Sequence, residues 1–305
     1  MSKRYFIGTA IPYVNADPHI GFTLELLQAD TLARWQRLQG IETFFLTGTD
    51  ENSLKNVLAA AKAEVPVNDF VDKHSKRFQE LAQILGLSND AFIRTTEPRH
   101  AAGAQKLWTA CAKAGDIYKK SYVGLYCVGC EQFYTEKDLE KGLCPEHKTK
   151  PEKVEEENYF FRLSKYQNQI TELLTSNTLK ITPESRRSEL TEFVKRGLED
   201  ISVSRSTQRA RDWGVSVPGD VSQIMYVWFD ALSNYINAIG FADDPALFKH
   251  WWLDNPQRVH LVGKGISRFH AIYWPAFLLS ASVPLPTEIL IHGYVTAAGE
   301  KMSKS

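Results

Sequence analysis

Apolar positions along the chain follow two alternating periods. RYFIGTA at 4–10 is a compact apolar run of strand length, and FTLELLQADTLARWQRL at 22–38 repeats its apolar residues at helical spacing. One stripe holds Phe22, Leu26, Ala29 and Ala33, and a second holds Leu24, Leu27, Trp35 and Leu38, which predicts a helix wedged between two layers. Gly40 stands where a C-cap belongs, and ETFFLTG at 42–48 supplies a second strand. A strand, helix, strand succession of this kind is parallel and right-handed, the start of a doubly wound sheet.

Helical periodicity resumes at 53–64 and 69–85, AFIR at 91–94 reads as a short strand, and a helix runs from Pro98 to Ala114. From Lys119 the texture changes. Residues 119–160 are rich in Tyr, Glu, Lys, Gly and Cys, and they contain the charged run KPEKVEEEN at 150–158, expected as solvated surface without chemistry. Two helical patterns near 165–176 and 183–198 follow, and then IMYVWF (224–229), RVHLVG (258–263) and EILIHG (288–293) restore the strands around a helix at 266–280. The expected class is α/β, a Rossmann-like doubly wound parallel sheet with its first half in 1–114 and its second in 217–305, split by a connective insertion at 115–216. A sheet interrupted and resumed in this way has its ligand crevice at the carboxyl ends of strands from both halves. There is no internal repeat and no low-complexity tract.

Composition narrows the function classes. The chain has 305 residues, 43% of them hydrophobic, enough for one large or two modest domains. Its 36 basic and 36 acidic residues give a net charge of 0, so no bulk field marks a nucleic-acid binder, and a polyanionic ligand would have to be held locally. Pro12 and Asn15 interrupt the N-terminal apolar run, which argues against a secretory signal, and AIYWPAFLL is far shorter than the ~20 residues that span a bilayer. A cytoplasmic protein with no membrane association is expected.

Four cysteines are too few and too unevenly placed for a disulfide framework. Cys127-x2-Cys130, thirteen residues, then Cys144-x2-His147 offers four ligands in two short chelate steps, the pattern of a tetrahedral zinc knuckle with no open catalytic position. The competing account is buried free thiols beside a chance histidine. Cys111, inside a helical pattern, reads as a small core residue.

Two further stretches invite chemistry. AIPYVNADPHIGF at 10–22 puts His19 and Gly21 at a strand-to-helix junction, where free N–H groups and the helix dipole attract phosphate. KMSKS at 301–305 places two lysines in a loop that can close over a triphosphate. Taken singly, each is also explained by ordinary capping or by solvated lysines.

Together PHIG and KMSKS resemble the class I aminoacyl-tRNA synthetases. FFLTGTDEN, ENYFFRLSKY, YVWFDALSNY, FHAIYWPAFLL and HGYVTAAGEKMSKS extend the likeness, over the whole chain, to the methionyl-tRNA synthetase family. The resemblance implies a nucleotide-binding catalytic domain that activates methionine with ATP and transfers it to tRNA(Met), with magnesium accompanying ATP and structural zinc in the insertion. It implies ATP contacts from His19, Gly21, Lys264, His292, Gly293, Lys301 and Lys304, with His19, Lys301 and Lys304 catalytic. The implied methionine pocket is Ala10, Ile11, Tyr13, Asp50, Trp228, Ala231, Tyr235, Ile266 and His270, and the implied zinc ligands are Cys127, Cys130, Cys144 and His147.

The chain departs from the family pattern twice. Phe22 replaces a second signature histidine, and Lys264-Gly265-Ile266 replaces Lys-Asp-Ile, which removes an acid near the nucleotide. Synthetases for leucine, isoleucine or valine share both signatures but carry a larger insertion. Small nucleotidyltransferases lack the lysine loop, and a zinc-containing RNA-binding module would show a basic face. A monomer is expected, as is a chain that stops short of the family's anticodon-binding domain. His74, His100, His250 and His260 receive no role.

Overall fold

The computed structural model describes residues 3–129, 132–134, 136–297 and 300–301. The first half runs β1 (Arg4–Thr9), α1 (Ile20–Leu38), β2 (Glu42–Thr49), α2 (Leu54–Lys62), α3 (Val67–Ile84), β3 (Ala91–Arg94) and α4 (Pro98–Lys113). The middle carries β4 (Ile117–Cys127), β5 (Gln132–Tyr134), β6 (Glu152–Phe161), α5 (Gln167–Thr175), β7 (Lys180–Thr182), α6 (Glu184–Lys195), β8 (Ile201–Ser202), β9 (Ser204–Ser206) and α7 (Thr207–Ala210). Then come β10 (Ser216–Val217), β11 (Asp220–Met225), α8 (Val227–Leu232), α9 (Asn234–Asn237), α10 (Pro245–Phe248), β12 (Arg258–Gly263), α11 (Trp274–Ser280), β13 (Glu288–His292), β14 (Thr296–Ala297) and β15 (Glu300–Lys301).

The central sheet has six strands in the order β3-β2-β1-β12-β13-β7, all parallel. Alternate residues feed opposite faces, as a sheet covered on both sides requires. Tyr5, Ile7, Phe45, Val259 and Leu261 pack with Ala29 and Ala33 of α1, whereas Phe6, Leu46 and Val262 join the large core that holds Trp108, Phe229, Trp252 and Phe277. The expected halves thus meet at the β1–β12 pair, where strand order reverses, with Gly8 opposite His260 and Thr9 opposite Leu261. An open sheet of this kind binds ligands at the carboxyl ends of those strands.

Three sequence expectations are corrected. Helix α1 is not wedged between layers: Phe22, Leu26, Ala29 and Ala33 are buried, but Leu27, Trp35 and Leu38 are 40%, 58% and 80% exposed. IMYVWF is not one strand, because β11 ends at Met225 and Tyr226 caps α8. A six-residue apolar run fits a buried helix as well as a strand, and here tertiary packing decided. The span 115–216 is not wholly an insertion, since β7 is the sixth strand of the central sheet, paired with β13. The charged run 150–158 keeps most of its charged side chains solvated, as expected, and does so from a strand: β6 pairs with β4 from Ile117↔Phe161 to Tyr126↔Glu152, turning Val154, Asn158 and Phe160 inward and Glu155 and Glu157 outward.

Candidate active site

At the carboxyl ends of β1, β2, β12 and β13 lies an open cavity of about 690 Å3. Fourteen of the residues expected to bind ATP or methionine line it: Ala10, Ile11, Tyr13, His19, Gly21, Asp50, Trp228, Ala231, Tyr235, Lys264, Ile266, His270, His292 and Gly293. The structure describes the backbone of Lys301, which lies in β15 opposite Thr296. Lys304 lies outside the described residues.

His19 is the N-cap of α1, extended at φ −126°, and its Nδ1 accepts the Gly21 N–H at 3.0 Å. That bond leaves Nε2 as the proton-bearing nitrogen, a donor for an anionic ligand at the helix N-terminus. Gly21 serves this arrangement directly: a Cβ there would stand 2.8 Å from His19 Cε1. The glycine makes room for the histidine ring. Phe22 packs into the core at 5.3 Å, edge to face, against Phe78.

The apolar end of the cavity is built on α8, α9 and the turn after β12. Trp228 stacks on Phe269 with centroids 3.8 Å apart and planes 8° apart, and its indole N–H is buried with no protein partner among the described residues. Residues 269–273 form a single wide π turn, a form that recurs at functional sites, and it faces Phe269 and His270 into the cavity. His270 Nδ1 donates to Ile266 O at 3.0 Å, so its Nε2 is free to accept the Tyr235 hydroxyl proton at 2.9 Å. Burial pushes the His270 imidazole down to about 4 and holds it neutral. Tyr235 lies fully buried against β1, where a Cβ on Gly8 would be 2.7 Å from its ring. Asp50 is 3% exposed and directly follows β2, with its N–H on Pro12 O at 2.9 Å. Asp50 lines the same cavity as the aromatic groups.

Two acids not singled out from sequence join the halves. Glu25 of α1 lines the cavity and accepts from His292 Nε2 at 2.8 Å, while His292 Nδ1 donates to Gly293 O at 2.7 Å. Burial acts to lower the His292 pKa, but the Glu25 carboxylate outweighs it and raises the group. Burial raises Glu25, against the pull of His292. A charged residue inside the apolar stripe of α1 was the available signal. The second acid, Asp230, is 1% exposed; it accepts from Asn52 at 2.7 Å and from His100 Nε2 at 2.6 Å, tying α8 to the loop after β2 and to α4.

The cysteine cluster lies beside the same cavity. Cys127, Cys144 and His147 bring one ligand atom each to within 4.8 Å of one another. Cys130 lies outside the described residues. Cys144 Sγ receives the His147 backbone N–H at 3.5 Å, and a Cβ on Gly129 would meet the His147 ring at 2.6 Å, so this glycine lets the two turns close on each other. Two buried thiols with an adjacent imidazole are a donor set that suits zinc. Gly129, Pro145, Glu146 and His147 also line the cavity mouth, a juxtaposition that spacing alone does not reveal. Cys111 is a core residue, its thiol pushed up to about 12 by burial.

Comparison with known proteins agrees with this arrangement. Residues 5–152 and 137–305 match the family described as tRNA synthetases class I (M). A methionine–tRNA ligase of Rhizobium meliloti is 48% identical over 310 residues, covering 100% of this chain and 59% of the relative. One from Brucella suis is 46% identical over 307 residues, covering 99% and 58%. Mycobacterium tuberculosis methionyl-tRNA synthetase in complex with methionyl-adenylate superposes with a TM-score of 0.93 at 44% identity, covering 99% of this chain and 59% of that one. The chain thus spans less than two thirds of the length of these relatives.

Proposed function

Because the chain belongs to the class I tRNA synthetases of the methionyl family, we propose that it joins methionine to ATP, forming methionyl-adenylate, and then passes the methionyl group to the 3′ end of tRNA(Met). The observation that carries this reading is the single cavity holding both an anion seat, made by His19 and Gly21, and an aromatic pocket, made by Trp228, Tyr235 and His270.

The first step needs alignment more than acid–base help. The methionine carboxylate is ionised at neutral pH; its oxygen attacks the α-phosphorus and pyrophosphate leaves, so the protein must hold the two groups in line and stabilise charge. His19 Nε2–H, Lys264 and His292 would face the phosphates, with Lys301 and Lys304 added from the loop. Asp50 would receive the substrate ammonium. Trp228, Ile266 and His270 would surround the thioether, a soft group that packs well against aromatic rings. In the second step a ribose hydroxyl attacks the activated carbonyl and AMP leaves.

Aminoacyl-tRNA synthetases use Mg-ATP, and the cation would offset phosphate charge here. Zinc would be held by Cys127, Cys130, Cys144 and His147 and would cross-link the knuckle. Among the described residues no helix is long and apolar enough to cross a membrane.

Amino-acid-dependent exchange of pyrophosphate into ATP, run with each of the twenty amino acids, tests the reading. Exchange with methionine alone is expected. A preference for leucine, isoleucine or valine would overturn the substrate assignment.

A further inference from the structure

Gly265 interrupts the family's Lys-Asp-Ile pattern, and its backbone does not explain why. It is absent from the positive-φ glycines, so an ordinary side chain would fit its conformation. What a side chain would have to displace is the hydroxyl end of Tyr294. A Cβ built on Gly265 would overlap the Tyr294 hydroxyl, while the ring carbons behind that oxygen stand at 3.5 and 3.8 Å, ordinary contact distances. The same ring carries the Lys264 ammonium 4.5 Å from its centroid. Lys264, Gly265 and Tyr294 all line the cavity, beyond the Gly263↔His292 pair at the ends of β12 and β13.

We propose that Gly265 is a notch for Tyr294, and that the seated ring positions the Lys264 ammonium for the nucleotide. The 265/294 pair is then a determinant of ATP affinity in place of the missing acid. This rests on the reading of the cavity as an ATP site. Tyr294 is a positioning residue that acts through Lys264. A cation held on an aromatic face keeps its charge and loses rotamer freedom, so less is lost when phosphate binds.

The geometry gives an unusual suppression test, because the overlap involves one oxygen atom. Gly265→Ala alone should drive the ring out of the notch and weaken Mg-ATP binding about tenfold, the worth of one cation–aromatic contact in a partly desolvated site. Removing the hydroxyl leaves only the ordinary ring contacts, so Gly265→Ala should cost nothing further in a Tyr294→Phe background. Tyr294→Leu, which removes the ring, should weaken ATP about as much as Gly265→Ala, with the KM for methionine unmoved in each case. Calorimetric titration with Mg-ATP and no amino acid reads the affinity, exchange kinetics give the two KM values, and melting confirms folding. An unaltered ATP affinity in Gly265→Ala overturns the proposal, and so does a double variant no better than Gly265→Ala. If methionine supports no exchange in any variant or the parent, yet ATP titrations follow this pattern, the pair stands and the activity reading falls.

Discussion

Substituting Asp230→Asn tests whether the two halves of the sheet are registered by a buried carboxylate. Asp230 accepts Asn52 Nδ2–H at 2.7 Å and His100 Nε2 at 2.6 Å, and it is 1% exposed. An Asn237 amide hydrogen faces His100 Nδ1 at 3.3 Å, so Nδ1 accepts and Nε2 carries the proton. Asn52 is fixed in its turn by donating to Thr95 O at 3.0 Å. Both groups facing residue 230 are therefore donors, and an asparagine there can accept from only one while setting its own NH2 against the other. Flipping either neighbour moves the conflict to Asn237 or Thr95 without removing it. One unsatisfied buried contact and one lost charge-assisted bond together cost about 2–4 kcal/mol. Urea unfolding should show a lower midpoint with unchanged slope, and exchange assays should show a raised KM for methionine, since α8 carries Trp228 two residues away. A loss under about 0.5 kcal/mol, the scale of a surface change, would refute the donor-donor argument.

Three further outcomes are expected. Gly21→Ala crowds the His19 ring, which a Cβ would meet at 2.8 Å; the KM for ATP should rise several-fold in exchange assays while the KM for methionine holds. Burial depresses His260 well below 6.5 and His270 to about 4, so both are neutral in the fold and their contribution is present above the unfolded value. It is lost as pH falls below about 6.5, because the unfolded chain takes up protons the fold refuses; denaturant titrations should lose about 2 kcal/mol on account of His270 between about pH 6.5 and 5, with His260 acting in the same direction, and pH-independent stability there would sink the assignment. Elemental analysis should find one zinc per chain and none in a Cys127→Ser, Cys144→Ser variant; a metal-free parent would refute the knuckle.

The parallel strands were legible because burial on both faces makes them continuous apolar runs, and RYFIGT, RVHLVG and EILIH all lie where that pattern puts them. Strand β7 was not legible. KIT is three residues long and gains its place only by pairing with β13, more than a hundred positions later. The exposed stripe Leu27, Trp35 and Leu38 misled for the opposite reason, since apolar periodicity reports what a helix offers and not what covers it. At the site, residue types at strand ends pointed to the cavity. Tyr294 and Glu25 remained hidden because their significance lies in what they touch across the fold.

Those hidden contacts bear on how a divided domain stays aligned. Strands β1 to β3 and strands β12 and β13 come from opposite ends of the chain, and apolar packing between them is strong but non-directional, so it tolerates small sliding along β1 and β12. A buried hydrogen bond does not. Glu25 reaches from the first half to His292 in the second, and Asp230 reaches from the second half to Asn52 and His100 in the first. The two crossings run in opposite senses, and Glu25 lies beside the anion seat while Asp230 lies beside the aromatic pocket. Shear between the halves would lengthen both. On the proposed reading, in-line transfer between a carboxylate and a phosphate would need close alignment of these two regions, and the two buried side chains would keep the seat and the pocket in register.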